Sequence, residues 1–208
     1  MKTAKTPGFA CLAATLLIGM KGQLLAEQPG TAGYLSFDGG LAVQRTIGIK
    51  DSDGDRLSFD RGLRFDVAVG CGTREPNSMA VELELGLTYN STKPIASLDS
   101  ERLDVYEVPI LLNAIYTLPL RGPVRAYAGI GVGGVYGIFV GRDTSILGFN
   151  TDITFGFQGT AGIDYLINDE WRIGVAYKFL GTTDHDMGAF KTEGTMTHAF
   201  LVKLSFEF

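Results

Sequence analysis

The sequence predicts an all-β fold, an eight-stranded antiparallel up-and-down transmembrane β-barrel, on three observations. Stretches of about ten residues alternate apolar and polar side chains, the period of a strand, and they recur eight times between Tyr34 and Phe208. The connectors between them are strictly short and long in turn. The polar faces carry mostly Gly, Ala, Ser and Thr with scattered charges, whereas the apolar faces are almost uniformly large.

Residues 1–26 read as a secretory signal, leaving 27–208 as the barrel domain. Lys2 and Lys5 precede an apolar run from Phe9 to Met20, and Leu24-Leu25-Ala26 ends a stretch without acids, which places cleavage after Ala26. A retained helical anchor needs roughly 20 apolar residues, and the run does not reach that before Lys21. Cys11 is no lipoprotein acceptor, because the apolar run follows it. Cleavage removes three lysines and no acids, so the formal charge moves from −5 to 15 − 23 = −8. Such a surface excludes nucleic acid as a partner, since phosphate binding needs basic residues. Only Cys71 remains after cleavage, so no internal disulfide is expected in the processed chain, and a lone Cys at a strand end reads as a small hydrophobe. The mean hydropathy of +0.14 is high for an exported soluble domain. Yet the best helical candidate, 126–140, is punctuated by Gly129, Gly131, Gly133, Gly134 and Gly137, which weakens a helix and suits a crowded strand.

The strands follow in order. Tyr34 to Val43 sends Leu35, Phe37, Leu41 and Val43 one way and Ser36, Asp38, Gly40 and Ala42 the other. Gly62 to Cys71 sorts Leu63, Phe65, Val67 and Val69 from Arg64, Asp66, Ala68 and Gly70. Met79 to Tyr89 opposes Val81, Leu83, Leu85, Leu87 and Tyr89 to Ala80, Glu82, Glu84, Gly86 and Thr88. Leu103 to Thr117 is partly apolar on both sides, with Tyr106, Val108, Ile110, Leu112, Ala114 and Tyr116 outward and Glu107, Pro109 and Asn113 inward. Arg125 to Tyr136 alternates Ala128, Ile130 and Val132 with Tyr127, Gly129, Gly131 and Gly133. Ile153 to Tyr165 alternates Phe155, Phe157, Ala161, Ile163 and Tyr165 with Gln158, Thr160, Gly162 and Asp164. Trp171 to Phe179 sets Ile173, Val175 and Tyr177 against Arg172, Gly174, Ala176 and Lys178. Thr195 to Phe208 places Phe200, Val202, Leu204, Phe206 and Phe208 outward. Pro109 cannot donate to a ladder, and a closed barrel has no free edge to hide it, so a bulge is expected there.

The joins 72–78, 118–123 and 167–170 are short; 44–61, 90–102, 137–152 and 181–194 are long and polar. Short turns on one side and long loops on the other match a barrel with periplasmic turns and outer loops, and an even strand count puts both termini in the periplasm. A soluble lipocalin-like barrel also alternates, but its water-facing side would be dense in long charged chains. Here that face is small. The opposite face ends in Tyr89, Tyr106, Tyr116, Tyr136, Tyr165, Trp171, Tyr177 and Phe208, where membrane interfaces favour aromatic rings.

Three stretches together carry a resemblance: 195–208, Val108-Pro109-Ile110-Leu111-Leu112-Asn113-Ala114-Ile115-Tyr116, and the glycine ladder 127–134. They resemble the opacity-type, OmpA-like porin family of small outer-membrane barrels, over about Tyr34 to Phe208. The resemblance implies a Gram-negative outer membrane, lipid and lipopolysaccharide as surroundings, and a terminal strand read by the barrel assembly machinery through Phe206 and Phe208. It implies no cofactor. No peptidoglycan-binding domain follows Phe208, so the cell-wall anchoring of longer OmpA-like proteins is not expected.

Seven acids share the inward face, Asp38, Asp66, Glu82, Glu84, Glu107, Asp164 and Glu207, with five bases, Arg64, Arg125, Arg172, Lys178 and Lys203. Charges away from water must pair, because an unpaired one costs several kcal/mol. Asp38, Glu82, Glu84 and Lys203 are expected together near mid-height, as part of a salt-bridge plug. Asp51, Asp53 and Asp55 copy the opening of a calcium loop, but Arg56 stands where Gly is needed and Gly62 where the twelfth-position Glu belongs, so a solvated acidic loop is the preferred reading. Bridging of cations to lipopolysaccharide is the lesser reading of the same carboxylates. Asp184-His185-Asp186 reads as solvated loop. His198 shares the lipid-facing parity of Phe200, but acyl transfer needs a hydroxyl in reach, and Thr195 and Thr197 point inward. The expected role is therefore non-enzymatic: structural or adhesive, with a host or surface ligand met by the long outer loops. A narrow, weakly cation-selective channel is the rival and an outer-leaflet lipid-modifying enzyme the third reading.

Overall fold

The structure, a computed structural model, describes residues 32–48, 56–72, 76–93, 103–118, 120, 122–141, 149–186 and 191–208. The signal segment and Asp51, Asp53 and Asp55 lie outside these residues. Among the described residues twelve strands run in chain order: β1 (Ala32–Gln44), β2 (Ile47–Gly48), β3 (Arg56–Leu57), β4 (Arg61–Gly72), β5 (Ser78–Ser91), β6 (Leu103–Thr117), β7 (Val124–Gly141), β8 (Phe149–Leu166), β9 (Trp171–Thr182), β10 (His185–Asp186), β11 (Lys191–Thr192) and β12 (Met196–Glu207). Eight of them close a barrel in the order β1-β12-β9-β8-β7-β6-β5-β4, every neighbouring pair antiparallel. The remaining four make two small hairpins, β2 with β3 in the first long connector and β10 with β11 in the last.

The alternation sorts as the sequence predicts. Phe37, Leu41, Phe65, Leu85, Ile110, Ile130, Phe155, Val175 and Phe200 are exposed on the outer wall, while Ser36, Asp38, Arg64, Glu84, Glu107, Asp164 and Lys178 are buried. This inverts a water-soluble fold: the charged groups lie inside beside a smaller apolar share, and the exposed wall is grease. Aromatic pairs stand at the ends of the wall, Tyr89 against Tyr106 (5.1 Å) at one rim and Trp171 against Phe206 (4.9 Å) at the other.

The short joins obey turn chemistry. Asn77 (φ 62°) and Gly122 (φ 94°) take left-handed conformations that these residue types tolerate. Asn168 Oδ1 accepts from the backbone N–H of Glu170 (2.9 Å) and Trp171 (2.7 Å), tying the turn before β9. The seam is sewn by the two ends of the chain. Tyr34 faces Glu207 and Gln44 faces Thr197, and Phe208 N donates to Gly33 O (2.9 Å) while Gly33 N donates to Phe208 O (3.1 Å).

Two features depart from the sequence reading. At Pro109 there is no bulge: the β5–β6 ladder skips the Gly86–Pro109 and Leu87–Val108 pairs and resumes in register with Thr88 opposite Glu107. The missing donor is absorbed by space, since a Cβ on Gly86 would sit 2.8 Å from Pro109 Cγ. Second, β7 and β8 have 18 residues each and rise well past the neighbouring β9. Ladder pairing of β8 with β9 stops at Gly156 opposite Thr182; just beyond it Thr183 N donates to Phe155 O (2.9 Å), β10 lies alongside β8, and above Phe155 the only strand laddered to β8 among the described residues is β7.

Candidate functional site

The interior is crossed by one hydrogen-bonded network. Register sets Asp38 opposite Asp66, and Asp66 opposite Gly86, so two carboxylates and a gap meet on one wall. Arg64, on the same strand as Asp66, folds its guanidinium over that carboxylate, with Nε to Oδ1 at 2.9 Å and to Oδ2 at 3.0 Å. Its Nη2 donates to Glu84 Oε1 (3.0 Å) and, across the lumen, to Gln158 Oε1 (2.6 Å). Lys178 enters from β9 and meets three carboxylates: Asp38 at 2.7 Å, Asp66 at 2.9 Å and Glu84 at 3.0 Å. All these groups are buried, with Arg64 and Glu84 at 0% exposure.

Neutral side chains complete the layer. Gln158 Nε2 donates to both oxygens of Glu84 (3.1 and 3.2 Å), and Asn113 Nδ2 bridges Glu82 Oε1 (3.2 Å) and Glu84 Oε2 (3.0 Å). Tyr34 donates its hydroxyl to Glu82 Oε2 at 2.8 Å. Strands β1, β4, β5, β6, β8 and β9 thus all reach the centre. In a medium of low dielectric such charge-assisted bonds are short and strong, and removing one member leaves its partners uncompensated.

A second layer lies toward the long connectors. Glu107 Oε1 accepts from Thr195 Oγ1 (2.7 Å) and, across the lumen from β1, from Gln44 Nε2 (3.5 Å). Thr182 Oγ1 lies 3.0 Å from Thr195 Oγ1 and accepts from its backbone N–H at 2.8 Å. An apolar cluster, Leu111, Val135 and Leu180, also fills the interior. At the opposite end Arg172 Nη2 pairs with Glu207 Oε2 (2.6 Å), and Arg125 stands opposite Asp164.

Of the interior residues singled out in the sequence, Asp38, Arg64, Asp66, Glu84 and Lys178 meet directly, with Glu82 joined through Asn113. Lys203 differs: opposite Asp38 in register, it sends its ammonium toward Tyr127, 3.4 Å from the hydroxyl and 4.7 Å from the ring centre. Lys178, two strands from β1, takes the place expected of it. Glu107 belongs to the outer layer. Tyr34, Asn113 and Gln158 were not singled out as site members; their signal was a bulky polar side chain at inward parity, where most neighbours are small. On the outer wall His198 Nδ1 lies 2.7 Å from Tyr177 OH, with Phe179 5.3 Å away ring to ring, while Thr195 and Thr197 are buried inside. His185 and Asp186 form β10. Phe206 and Phe208 stack at 6.2 Å on the outer wall at the seam.

A family model described as "Outer membrane protein beta-barrel domain" matches residues 10–208. Among solved structures the chain is similar to Neisserial surface protein A, NspA, with 12% identity, a TM-score of 0.62, and coverage of 86% of this chain and 100% of that one. It is similar to the outer membrane protein OprG of Pseudomonas aeruginosa at 17% identity and a TM-score of 0.53, over 86% of this chain and 97% of that one. For the outer membrane protein AlkL, solved in lipid bilayers, the figures are 16% and 0.52, over 100% and 95%. These likenesses establish the fold. A comparison with curated protein sequences finds no match.

Proposed function

The chain belongs to the family of outer-membrane β-barrel domains, and from that premise we propose a non-enzymatic surface protein whose lumen is plugged and whose interactions are made by its outer loops and strand tips. In this reading both termini lie on the periplasmic side, lipopolysaccharide surrounds the wall, and the assembly machinery reads Phe206 and Phe208. The observation that carries it is the bonding across the lumen: Arg64 to Gln158, and Lys178 to Asp38, Asp66 and Glu84, leave side chains where a solute path would run. Eight-stranded barrels have interiors that side chains nearly fill.

The interaction surface is supported by the tall β7–β8 hairpin. Above Phe155, whose carbonyl accepts from Thr183 N, one edge of β8 is laddered to no strand among the described residues, and the Ile153 N–H on that edge is taken by the Asp152 carboxylate at 2.8 Å. An edge of this kind accepts an added strand from a partner. The experiment is planar-bilayer conductance of the wild type beside Lys178→Met, with binding of intact cells to candidate surfaces measured for the wild type and Ile153→Pro, which removes the donor on the open edge. A closed wild type whose binding falls in Ile153→Pro agrees with the proposal. Steady cation-selective steps from the wild type would instead favour the channel, which the excess of interior acids would bias toward cations.

A further inference from the structure

The outward-facing bases of the wall stand at one end and on one arc. Arg61, the first residue of β4, is opposite Val43 of β1, and Val43 is opposite His198 of β12, so the three share one row across the seam. With neighbouring strands about 4.8 Å apart, Arg61 and His198 are about 10 Å from each other at the backbone, within the combined reach of their side chains. Two residues nearer the connectors, Arg45 keeps the outward parity of Val43. Its backbone N–H donates to Met196 O (2.8 Å) and its Nη1 reaches Met196 Sδ (3.8 Å). Arg45 and Arg61 are exposed, and directly below them so are Leu41, Val43, Leu63 and Phe200.

Neither guanidinium has a carboxylate partner among the described residues. The acids of this region are placed otherwise. Glu193 accepts from the Gly48 N–H (3.2 Å), Asp104 accepts from Tyr89 OH (3.2 Å), and Asp60, exposed and next to Arg61 in the chain, forms no ion pair with it. His198 is held for the same task. Its Nδ1 lies 2.7 Å from Tyr177 OH and its ring 5.3 Å from that of Phe179. When the Tyr177 hydroxyl donates to Nδ1, the ring proton stays on Nε2, the nitrogen left for an outside acceptor. Lys93, exposed on the continuation of β5, extends the basic margin. At the short-turn end no outward strand position among the described residues carries a base: Leu35, Met79, Tyr116, Tyr165, Trp171 and Phe206 stand there. In a chain of formal charge −5 this separation is a selective one.

We infer that Arg45, Arg61 and His198 form a seat for the phosphorylated headgroup of an outer-leaflet glycolipid of the lipid A class, its acyl chains lying against Leu41, Val43, Leu63 and Phe200. The inference rests on the proposed orientation, with the long connectors outside, and deepens it: the lipid is bound at one place on the wall and not merely present around it. Guanidinium forks match phosphate oxygens, and the apolar strip beneath them offers hydrocarbon to hydrocarbon. Bases at the rim of the greasy band stand at headgroup height. A free phosphate would use the bases and leave the strip unused.

The test is native mass spectrometry of the folded protein in detergent, titrated with bisphosphorylated lipid A, the same lipid stripped of its phosphates, phosphatidylglycerol and inorganic phosphate. The wild type should retain one lipid A, with the stripped lipid and phosphatidylglycerol bound about tenfold more weakly or worse, and inorganic phosphate at equal concentration should not displace it. Arg45→Gln and Arg61→Gln should each weaken binding about tenfold and together about a hundredfold, the loss of one charge-assisted bond apiece. Arg45→Lys should keep part of the affinity. The fast-migrating folded band should persist in all of them, since both guanidinia are exposed and unpaired; if Arg61→Gln does not fold, Arg45→Gln carries the test. A double variant that binds like the wild type would overturn the site. Equal binding of stripped lipid would assign it to the apolar strip, equal binding of phosphatidylglycerol to general anionic attraction, and displacement by inorganic phosphate to a free anion, each overturning the proposal. An epitope inserted between β7 and β8 and stained on intact cells reports the orientation separately. A hidden epitope would overturn the surface reading and the outer-leaflet assignment with it, whereas a failed titration with the epitope exposed would overturn the lipid seat alone.

Discussion

Replacing Lys178 by Met removes one charge while keeping nearly the same volume, so no cavity is made and the electrostatics are tested alone. The ammonium contacts Asp38, Asp66 and Glu84 at 2.7, 2.9 and 3.0 Å with 4% of its side chain exposed. Three charge-assisted bonds at about 1.5–3 kcal/mol each set an upper bound near 9 kcal/mol. That bound is too high, because Arg64 still holds Asp66 and Glu84 at 2.9 and 3.0 Å. The measured range for breaking a buried pair, about 3–5 kcal/mol, is the better expectation. At about 2–4 °C per kcal/mol for a chain of this size, the midpoint should fall by about 6–20 °C. The assay is the temperature at which the fast-migrating folded band converts to the boiled form in electrophoresis. Adding Asp38→Asn should return part of the loss, since the partner left stranded is then neutral, and the coupling should amount to about 0.5–3 kcal/mol. A midpoint within about 2 °C of the wild type would refute the view that the network holds the barrel together.

On the outer wall, Val175→Arg places a charge where the wild-type side chain is 58% exposed to the surroundings; it should cost about 2–4 kcal/mol in a bilayer if that position is near the midplane, read as lost folded yield in lipid vesicles. Gly86→Val drives a side chain onto the Asp66 carboxylate and Pro109 Cγ, and should lower stability by about 1–3 kcal/mol in urea titrations of the folded band. Phe208→Ala removes the ring that lies over Gly33 and should reduce the amount of barrel recovered from the outer membrane of expressing cells, while refolding of the purified chain in detergent is less affected.

The wall was legible because a strand has a period of two and a membrane leaves little room for exceptions: once Leu83, Leu85 and Leu87 are outward, Glu82, Glu84 and Gly86 can only be inward. Which inward groups meet was not legible. Arg64 and Gln158 are 94 residues apart, and Lys178 and Asp66 are 112 apart; their encounter depends on the shear of the closed barrel, which alternation does not encode. Hence Lys203, a direct neighbour of Asp38 in register, was expected in the place that Lys178 occupies. The tops of β7 and β8 were hidden for another reason. Ile138, Phe139 and Val140 continue the alternation, but Asn150, Thr151 and Asp152 read as loop, since above the bilayer a strand no longer needs a greasy face. The Pro109 bulge failed because Gly86, on the facing strand, provides the room that a bulge would otherwise have made.

The seam between β1 and β12 joins Tyr34 to Glu207, residues of the first and the last strand of the ring. A ring fastened in this way cannot be completed before β12 has been made, because until then one margin of β1 has nothing to bind. Closure has to wait for the slowest kind of contact, one between distant parts of the sequence. Loss of β12 would therefore leave a sheet with two raw margins, one on β1 and one on β9.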